Sequence, residues 1–280
     1  MSSESAPSGT ADPELIIVAD PEDEVAIEVA EFVTESGHEA RVLDVFDAAQ
    51  MFTVSVRDGV ATVTPECPLV LRLPPPPPLR VSFDAEFQYG ECLAQLWAVA
   101  ALTPAPVINR PTPQGLGSRV SVSAALTELR AGVSGGSVEV FAGAPPAPAP
   151  TPPPAGEDAE ATWWVRDEGT GATAPWTDAM TAEGPFRARW SDADPVFEGV
   201  VVLGGNAWRC TTADLDDLDL TERSIGIVAR LGLDLAAVTW RLAPDLASAR
   251  LVNVEPFPAL EQLRMVWLGL GPHLVKALFP

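Results

Sequence analysis

Lysine is almost missing from this chain. Lys276 is the single one in 280 residues, against 39 aspartates and glutamates, and the formal net charge is −22. A protein that grips duplex nucleic acid needs a basic face that neutralises several phosphates, so nucleic acid is not an expected partner. Histidine is limited to His38 and His273, which leaves zinc sites and histidine-activated nucleophiles without their usual groups. Cys67, Cys92 and Cys210 are odd in number and far apart. They fit a reducing compartment and make neither a disulfide framework nor a C-x-x-C metal pair. No apolar run reaches the ~20 residues of a membrane-spanning helix. The opening MSSESAPSGTADPE lacks the basic and apolar blocks of a signal peptide. The expectation is a cytoplasmic protein with no membrane partner and no metal. The acidity has two readings, a solvated surface or attraction for a basic partner, and both stay open.

Apolar residues make up 47% of the chain, enough to bury a core. Residues 1–13 are Ser, Pro, Gly and acid and are expected to be disordered. Leu15 to Ala19 (LIIVA) reads as a buried strand. Asp20 is placed to N-cap a helix carrying Val25, Val29, Phe32 and Val33 inward, and Gly37 is a natural stop. Arg41 to Val45 reads as the next strand. This β-α-β unit favours a parallel sheet with helices packed on it. Met51 to Val56 and Val60 to Thr64 alternate around Arg57-Asp58-Gly59, a hairpin signal. PLVLRL (68–73) is a further strand. Asp84 to Leu102 reads as a helix with Phe87, Leu93, Leu96, Trp97 and Ala100 inward, and Pro106 to Pro111 as a short strand. Leu116 to Arg130 has helical character.

Residues 143–161 form a Pro/Ala-rich linker or loop, extended and poor in donors. The expected boundaries are therefore an α/β domain over 14–142 and a second domain over 162–280. The second part reads as strands at Thr162 to Arg166 and Phe186 to Trp190. A hairpin from Val196 to Thr212 turns at Gly204-Gly205-Asn206, and Leu218 to Leu231 is helical. Ala237 to Leu242 and Arg250 to Val254 read as an antiparallel pair. A C-terminal helix, Leu260 to Phe279, is expected to break near Gly269-Leu270-Gly271-Pro272.

The ordered set PLVLRLPPPP, the helix with Glu86 and Glu91, PVINRP, PFRARW, VFEGVVVLGGNAWRC, LGLDLAAVTWRL and LVNVEPFP resembles ATP-grasp peptide ligases. The nearest resemblance is to those that build ester and amide links in microviridin-like peptides, the graspetide ligases. The resemblance implies a pre-ATP-grasp β-α-β domain followed by a shortened central and C-terminal mixed sheet with helices. The family holds ATP and Mg²⁺ with lysines and with an Asp, Glu and Asn set on two late strands, because phosphates need cations and Mg²⁺ needs oxygen ligands. Here Thr239 stands at the Asp position. The E-V-N element reads Asn253-Val254-Glu255, with Glu and Asn exchanged, and Glu198-Gly199 lies where a phosphate-binding Arg is expected. The lysines have no counterpart.

The resemblance thus implies a degenerate pseudo-ligase with no catalytic residue and no cofactor, similar to the peptide-binding proteins of crocagin-like biosynthesis. Its expected partner is a ribosomal precursor (leader) peptide, with modifying enzymes or a second copy of itself as further candidates. Two alternatives are an active ATP-dependent carboxylate–amine or ester ligase, and a nucleotide-free peptide-cyclising enzyme. Six of the eight tryptophans lie between Trp163 and Trp240. Core packing explains most tryptophans, but an aromatic surface with a charged rim also suits a peptide. On that reading the candidate peptide-binding residues are Trp163, Trp164, Arg187, Arg189, Trp190, Trp208, Asp214, Asp216 and Asp217. Arg72 and Arg110, at strand ends before prolines, are each candidates for a ligand contact or for pairing with a carboxylate.

Overall fold

The computed structural model describes residues 14–73, 83–111, 138–141, 162–167, 173–175, 186–191, 196–211, 218–242 and 248–280. The terminal segment 1–13, the helical reading at 116–130, the Pro/Ala segment 143–161 and Asp214, Asp216 and Asp217 lie outside the described residues.

The N-terminal unit runs β1 (Leu15–Val18), α1 (Glu24–Glu35), β2 (Ala40–Leu43), α2 (Val45–Met51), β3 (Thr53–Arg57), β4 (Val60–Thr64), β5 (Leu69–Leu71), α3 (Phe83–Leu102) and β6 (Val107–Ile108). Its sheet has the order β2-β1-β5-β6 and is parallel throughout. A parallel sheet covered on both faces needs strands that are apolar on both sides. β1 meets that condition: Leu15 and Ile17 join the core under α1, while Ile16 and Val18 join the core under α2 and α3. The N-cap of α1 is Asp23, whose carboxylate accepts from the Ala26 N–H at 3.0 Å. The expected cap, Asp20, instead accepts from Glu22 N–H in the turn before it. Residues 45–51, read in part as strands, form α2 because Asp44 caps it through the Asp47 N–H at 2.8 Å. The β3–β4 hairpin turns at Asp58 (φ 53) and Gly59 (φ 78), the pair of left-handed residues such a tight turn requires.

Three of the five apolar positions expected inward on α3 point inward or pack partly, and two do not. Leu96 and Ala100 are buried and Leu93 packs against the core, but Phe87 is 61% and Trp97 48% exposed. Tyr89 and Val99 take the inward positions instead.

The later strands are antiparallel and form two sheets. One has the order β7-β10-β8-β9, from β7 (Val138–Phe141), β8 (Thr162–Asp167), β9 (Thr173–Pro175) and β10 (Phe186–Ser191). β7 thus pairs with β10 across the segment 143–161. The other sheet has the order β12-β11-β13-β14, from β11 (Val196–Leu203), β12 (Asn206–Arg209), β13 (Leu235–Leu242) and β14 (Ala249–Glu255). One face of it packs on α4 (Leu220–Arg230), where Trp240 Nε1 donates to Ser224 Oγ at 2.8 Å under the Arg223 guanidinium. The other face packs on α5 (Leu260–Leu278).

α5 is continuous, with Pro272 inside it, rather than broken. The hydrogen bond that proline removes would end on the carbonyl of Leu268, a residue 99% exposed, so water can reach that carbonyl. The glycines serve as sockets. A Cβ on Gly269 would lie 2.4 Å from Trp208 Nε1, and one on Gly271 would lie 2.5 Å from Phe32 Cζ. These two rings fix α5 between β12 and α1. Leu263, Val266, Leu270 and Leu274 then share one core with Ile17, Val25, Val29, Val201 and Leu235.

Candidate functional site

The N-terminal sheet meets the β14–α5 turn through Asn109, which is fully buried and left-handed (φ 56). Asn is among the few residues that adopt this backbone at low cost. Its Oδ1 accepts from Asp234 N–H at 2.8 Å and Leu235 N–H at 2.9 Å. Its Nδ2 donates to Leu235 O at 2.9 Å and Pro256 O at 2.7 Å, and its own N–H reaches Asp234 Oδ2 at 3.1 Å. Every polar group of the side chain is satisfied, so the turn 255–258 is fixed against the carboxyl edge of the parallel sheet.

Ligands bind outside the carboxyl ends of strands in open α/β sheets, and Arg72 sits at that edge. Its Nε lies 2.8 Å and 2.9 Å from the two oxygens of Asp23, and the guanidinium stands 5.8 Å from the centre of the Phe257 ring. Beneath this pair is a small apolar hollow of ≈ 20 Å³, lined by Ile17, Val25, Val29, Val70, Ile108 and Leu274 among others. Arg110 has a different part. It donates to the carbonyls of Ala100, Thr103 and Ala105 at 2.6–2.9 Å and so closes the end of α3; it holds carbonyls where a carboxylate partner or ligand was expected.

A second polar group lies on the α5 face of the late sheet. Thr239 is in register with Gly199 on β11 and Asn253 on β14. Directly opposed residues share a face. Asn253 is 5% exposed and its Nδ2 donates to Glu255 Oε1 at 2.8 Å. Gly199 lets the helix side approach closely: a Cβ there would lie 3.0 Å from Cys210 Sγ and 3.3 Å from Gln262 Nε2, so those side chains would have to shift. Burial, with the charge of Glu198 nearby, pushes the Cys210 thiol up to about 11, so it stays protonated and a poor nucleophile at neutral pH. Glu198 itself is buried at 1% exposure. It accepts from the Thr211 hydroxyl and from the Thr211 N–H at 3.3 Å, and pairs with Arg209 at 3.5 Å. A buried carboxylate held this way is an internal anchor.

The structure brings five of the candidate peptide-binding positions together. β8 and β10 pair Trp163 with Trp190 and Trp164 with Arg189, and Arg187 lies opposite Arg166. Trp208 is elsewhere, on β12, with its indole on Gly269 and its ring 5.2 Å from His273. Sequence reasoning missed Asn109, and it named Glu198 without its anchoring by Arg209 and Thr211. An asparagine between a strand and Arg-Pro was the one signal for the first.

No protein-family model matches the sequence, and no curated protein matches it. Solved structures do. The ATP-grasp ligase PsnB complexed with a minimal precursor superposes with a TM-score of 0.58 at 13% identity, covering 95% of this chain and 98% of that one. The macrocyclase MdnC of Microcystis aeruginosa MRC, bound with the precursor peptide MdnA, gives 0.59 at 12% identity over 95% and 98%. A RimK-domain ATP-grasp protein of Sphaerobacter thermophilus DSM 20745 gives 0.53 at 14% identity over 95% and 100%. The chain has the ATP-grasp fold.

ATP-grasp chemistry calls for magnesium and a nucleotide, and the described residues do not fit that pair. The donors at Thr239, Asn253 and Glu255 carry one carboxylate between them, and Asn253 already donates to it. Among the described residues, no group of three His, Cys, Asp or Glu side chains is placed to hold a metal ion. Mg²⁺ beside a triphosphate is held by several hard oxygen donors with supporting cations. Lys276, the one lysine, is exposed in the last turn of α5. No helix among the described residues is long and apolar enough to cross a membrane.

Proposed function

We propose that this ATP-grasp-fold chain is a pseudo-ligase. It binds a ribosomal precursor peptide and holds it for modification in natural-product biosynthesis, without nucleotide chemistry of its own. The observation that carries the reading is the donor set on β13 and β14, where Thr239 faces Asn253 and Glu255 is the single carboxylate. The fold likeness to PsnB and MdnC, both solved with precursor peptides, supports a peptide as the ligand class. The β8–β10 pair, which carries Trp163 and Trp190 on one face and Trp164, Arg187 and Arg189 on the other, is the element we assign to it. Aromatic and Arg side chains are the usual anchors of such a surface. Modifying enzymes are the further partners of this reading, and its place of action is the cytoplasm.

Two titrations test it. Mg-ATP at 1 mM leaves the melting temperature unchanged, whereas a Kd of ~10 μM would stabilise by about 2.7 kcal/mol and shift it by several degrees. The precursor peptide encoded beside the gene binds, and Trp164→Ala or Trp190→Ala weakens it about tenfold or more. A clear Mg-ATP shift with peptide-dependent phosphate release establishes the ligase reading instead. Conversion of the peptide without nucleotide establishes the cyclase reading.

A further inference from the structure

The sheet β7-β10-β8-β9 separates its charges by face. Successive residues of a strand alternate between the two faces, and directly opposed residues share one. The register sets Arg187 opposite Arg166 and Arg189 opposite Trp164, so three arginines and one tryptophan fall on a single face. Every other described residue in register on that face, from Val138 on β7 to Pro175 on β9, is uncharged. The two carboxylates of these strands, Glu139 and Asp167, fall on the other face with Trp163 and Trp190. In a chain of 39 acidic and 17 basic residues, a face with three positive charges and no negative one runs against the composition. The three are also near one another. Directly opposed Cα atoms lie ~5 Å apart, and positions two apart on a strand ~7 Å apart. Like charges directly opposed in a sheet are destabilising, so Arg166 and Arg187 share a position whose cost an anion removes.

We propose that this face takes an acidic peptide segment. The part of the precursor that docks on β8 and β10 carries two or more Asp or Glu side chains within about 7 Å of one another, the spacing of alternate residues on an extended chain. The inference rests on the peptide-binding reading above. It adds the charge of the ligand, which is opposite to the one that the acidity of the whole chain suggests. The chemistry favours this occupant. A guanidinium donates two parallel hydrogen bonds to one carboxylate, and such charge-assisted pairs are stronger than neutral ones. Arg187 and Arg189, two apart on one strand, match carboxylates two apart on an extended peptide, and Trp164 adds an aromatic anchor on the same face. A basic peptide would meet repulsion here.

Fluorescence anisotropy at 150 mM NaCl tests the proposal with three labelled peptides. They are the precursor encoded beside the gene, the same precursor with every Asp and Glu changed to Asn and Gln, and octaglutamate. The expected wild-type result is binding of the precursor and of octaglutamate, with the amide copy at least tenfold weaker than the precursor. Arg187→Gln and Arg189→Gln each weaken the precursor and octaglutamate about tenfold and leave the amide copy unchanged. Without ligand, Arg187→Gln melts no lower than wild type, because a like-charge pair has been relieved. An amide copy that binds as tightly as the precursor overturns the proposal. So does octaglutamate that fails to bind, or that binds both variants as tightly as wild type. An Arg187→Gln that folds but melts lower overturns it as well, since that guanidinium is then already paired within the chain. ATP that displaces octaglutamate at micromolar concentration makes the face a phosphate site instead. A precursor that fails to bind while octaglutamate binds through Arg187 and Arg189 sinks the pseudo-ligase reading and leaves the acidic-ligand face standing.

Discussion

Two long apolar helices, α3 and α5, carry the same device and use it differently. Both interrupt an apolar face with glycine. On α5 the sockets at Gly269 and Gly271 are filled by Trp208 and Phe32 of the same chain, and the helix is seated between two sheets. On α3 the socket at Gly90 is empty and the large residues beside it are in solvent. A glycine in a helix costs ~0.5–1 kcal/mol relative to alanine, so it is retained where something packs closely on it. At Gly269 and Gly271 that something is Trp208 and Phe32.

The largest expected effect is that of Asn109→Ala. It leaves the N–H and carbonyl of buried Leu235, and the partly buried Asp234 N–H and Pro256 carbonyl, without their partner, and puts alanine in a left-handed backbone. A loss of ~3 kcal/mol or more is expected in chemical denaturation. The effect should be unequal: amide exchange speeds in the first turns of α5, which follow Pro256, before it speeds in α3. Next is the pair Gly269→Ala and Gly271→Ala, each of which drives a methyl into a ring and costs ~1–3 kcal/mol, while Gly90→Ala does no harm.

Alkaline pH separates the helices by their thiols. Burial, with Glu14 nearby, pushes Cys67 up to about 11, and Cys210, beside α5, is also pushed up to about 11. Cys92 on α3 is raised by its partial burial and by Asp44 and Glu91, with one side toward solvent. Below pH 9 the buried thiols are protonated whether the chain is folded or not, and their stabilising difference is fully present. Between pH 9 and 11 the unfolded chain alone releases protons, and stability falls by about 2 kcal/mol for each buried thiol. Melting curves across that range should show the loss, and Cys67→Ser or Cys210→Ser should reduce its slope. Iodoacetamide at pH 8.5 should label Cys92 first. The smallest effect is Gly90→Ala, expected to raise stability by ~0.5–1 kcal/mol, since the new methyl meets open space.

Most of the fold was legible because its strongest signals are local. LIIV is apolar on both sides, Asp58-Gly59 makes a hairpin turn, and Gly204-Gly205-Asn206 separates two strands that do pair. The sequence misled where a distant contact overrode a local rule. Gly-Leu-Gly-Pro spells a helix break, yet Phe32 and Trp208, far away in the chain, fill its gaps. Arg41 to Val45 and Met51 to Val56 read as strands with 46–50 left between them, and Asp44, which caps α2 through the Asp47 N–H, is the mark of the helix there. On α3, periodicity could not distinguish the face toward the sheet from the outer one, because both are apolar. The site was less legible. The exchanged Asn253 and Glu255 could be placed by motif order, whereas Asn109 acts through groups 125 and more residues away, a link that no local pattern carries.

The shared core under α1 also has a consequence for synthesis. Its first contributors, Leu15 and Ile17, are among the earliest described residues to be made, and its last, Leu270, Leu274 and Leu278, among the latest. α1 and the parallel sheet cover each other within the N-terminal unit, but the side of the core that α5 supplies, against Val201, Leu203 and Leu235, is open until residues 260–278 have been made. Exposed apolar surface of that kind is where partly made chains associate wrongly. The two ends of the described chain are thus joined in one core that no shorter piece completes.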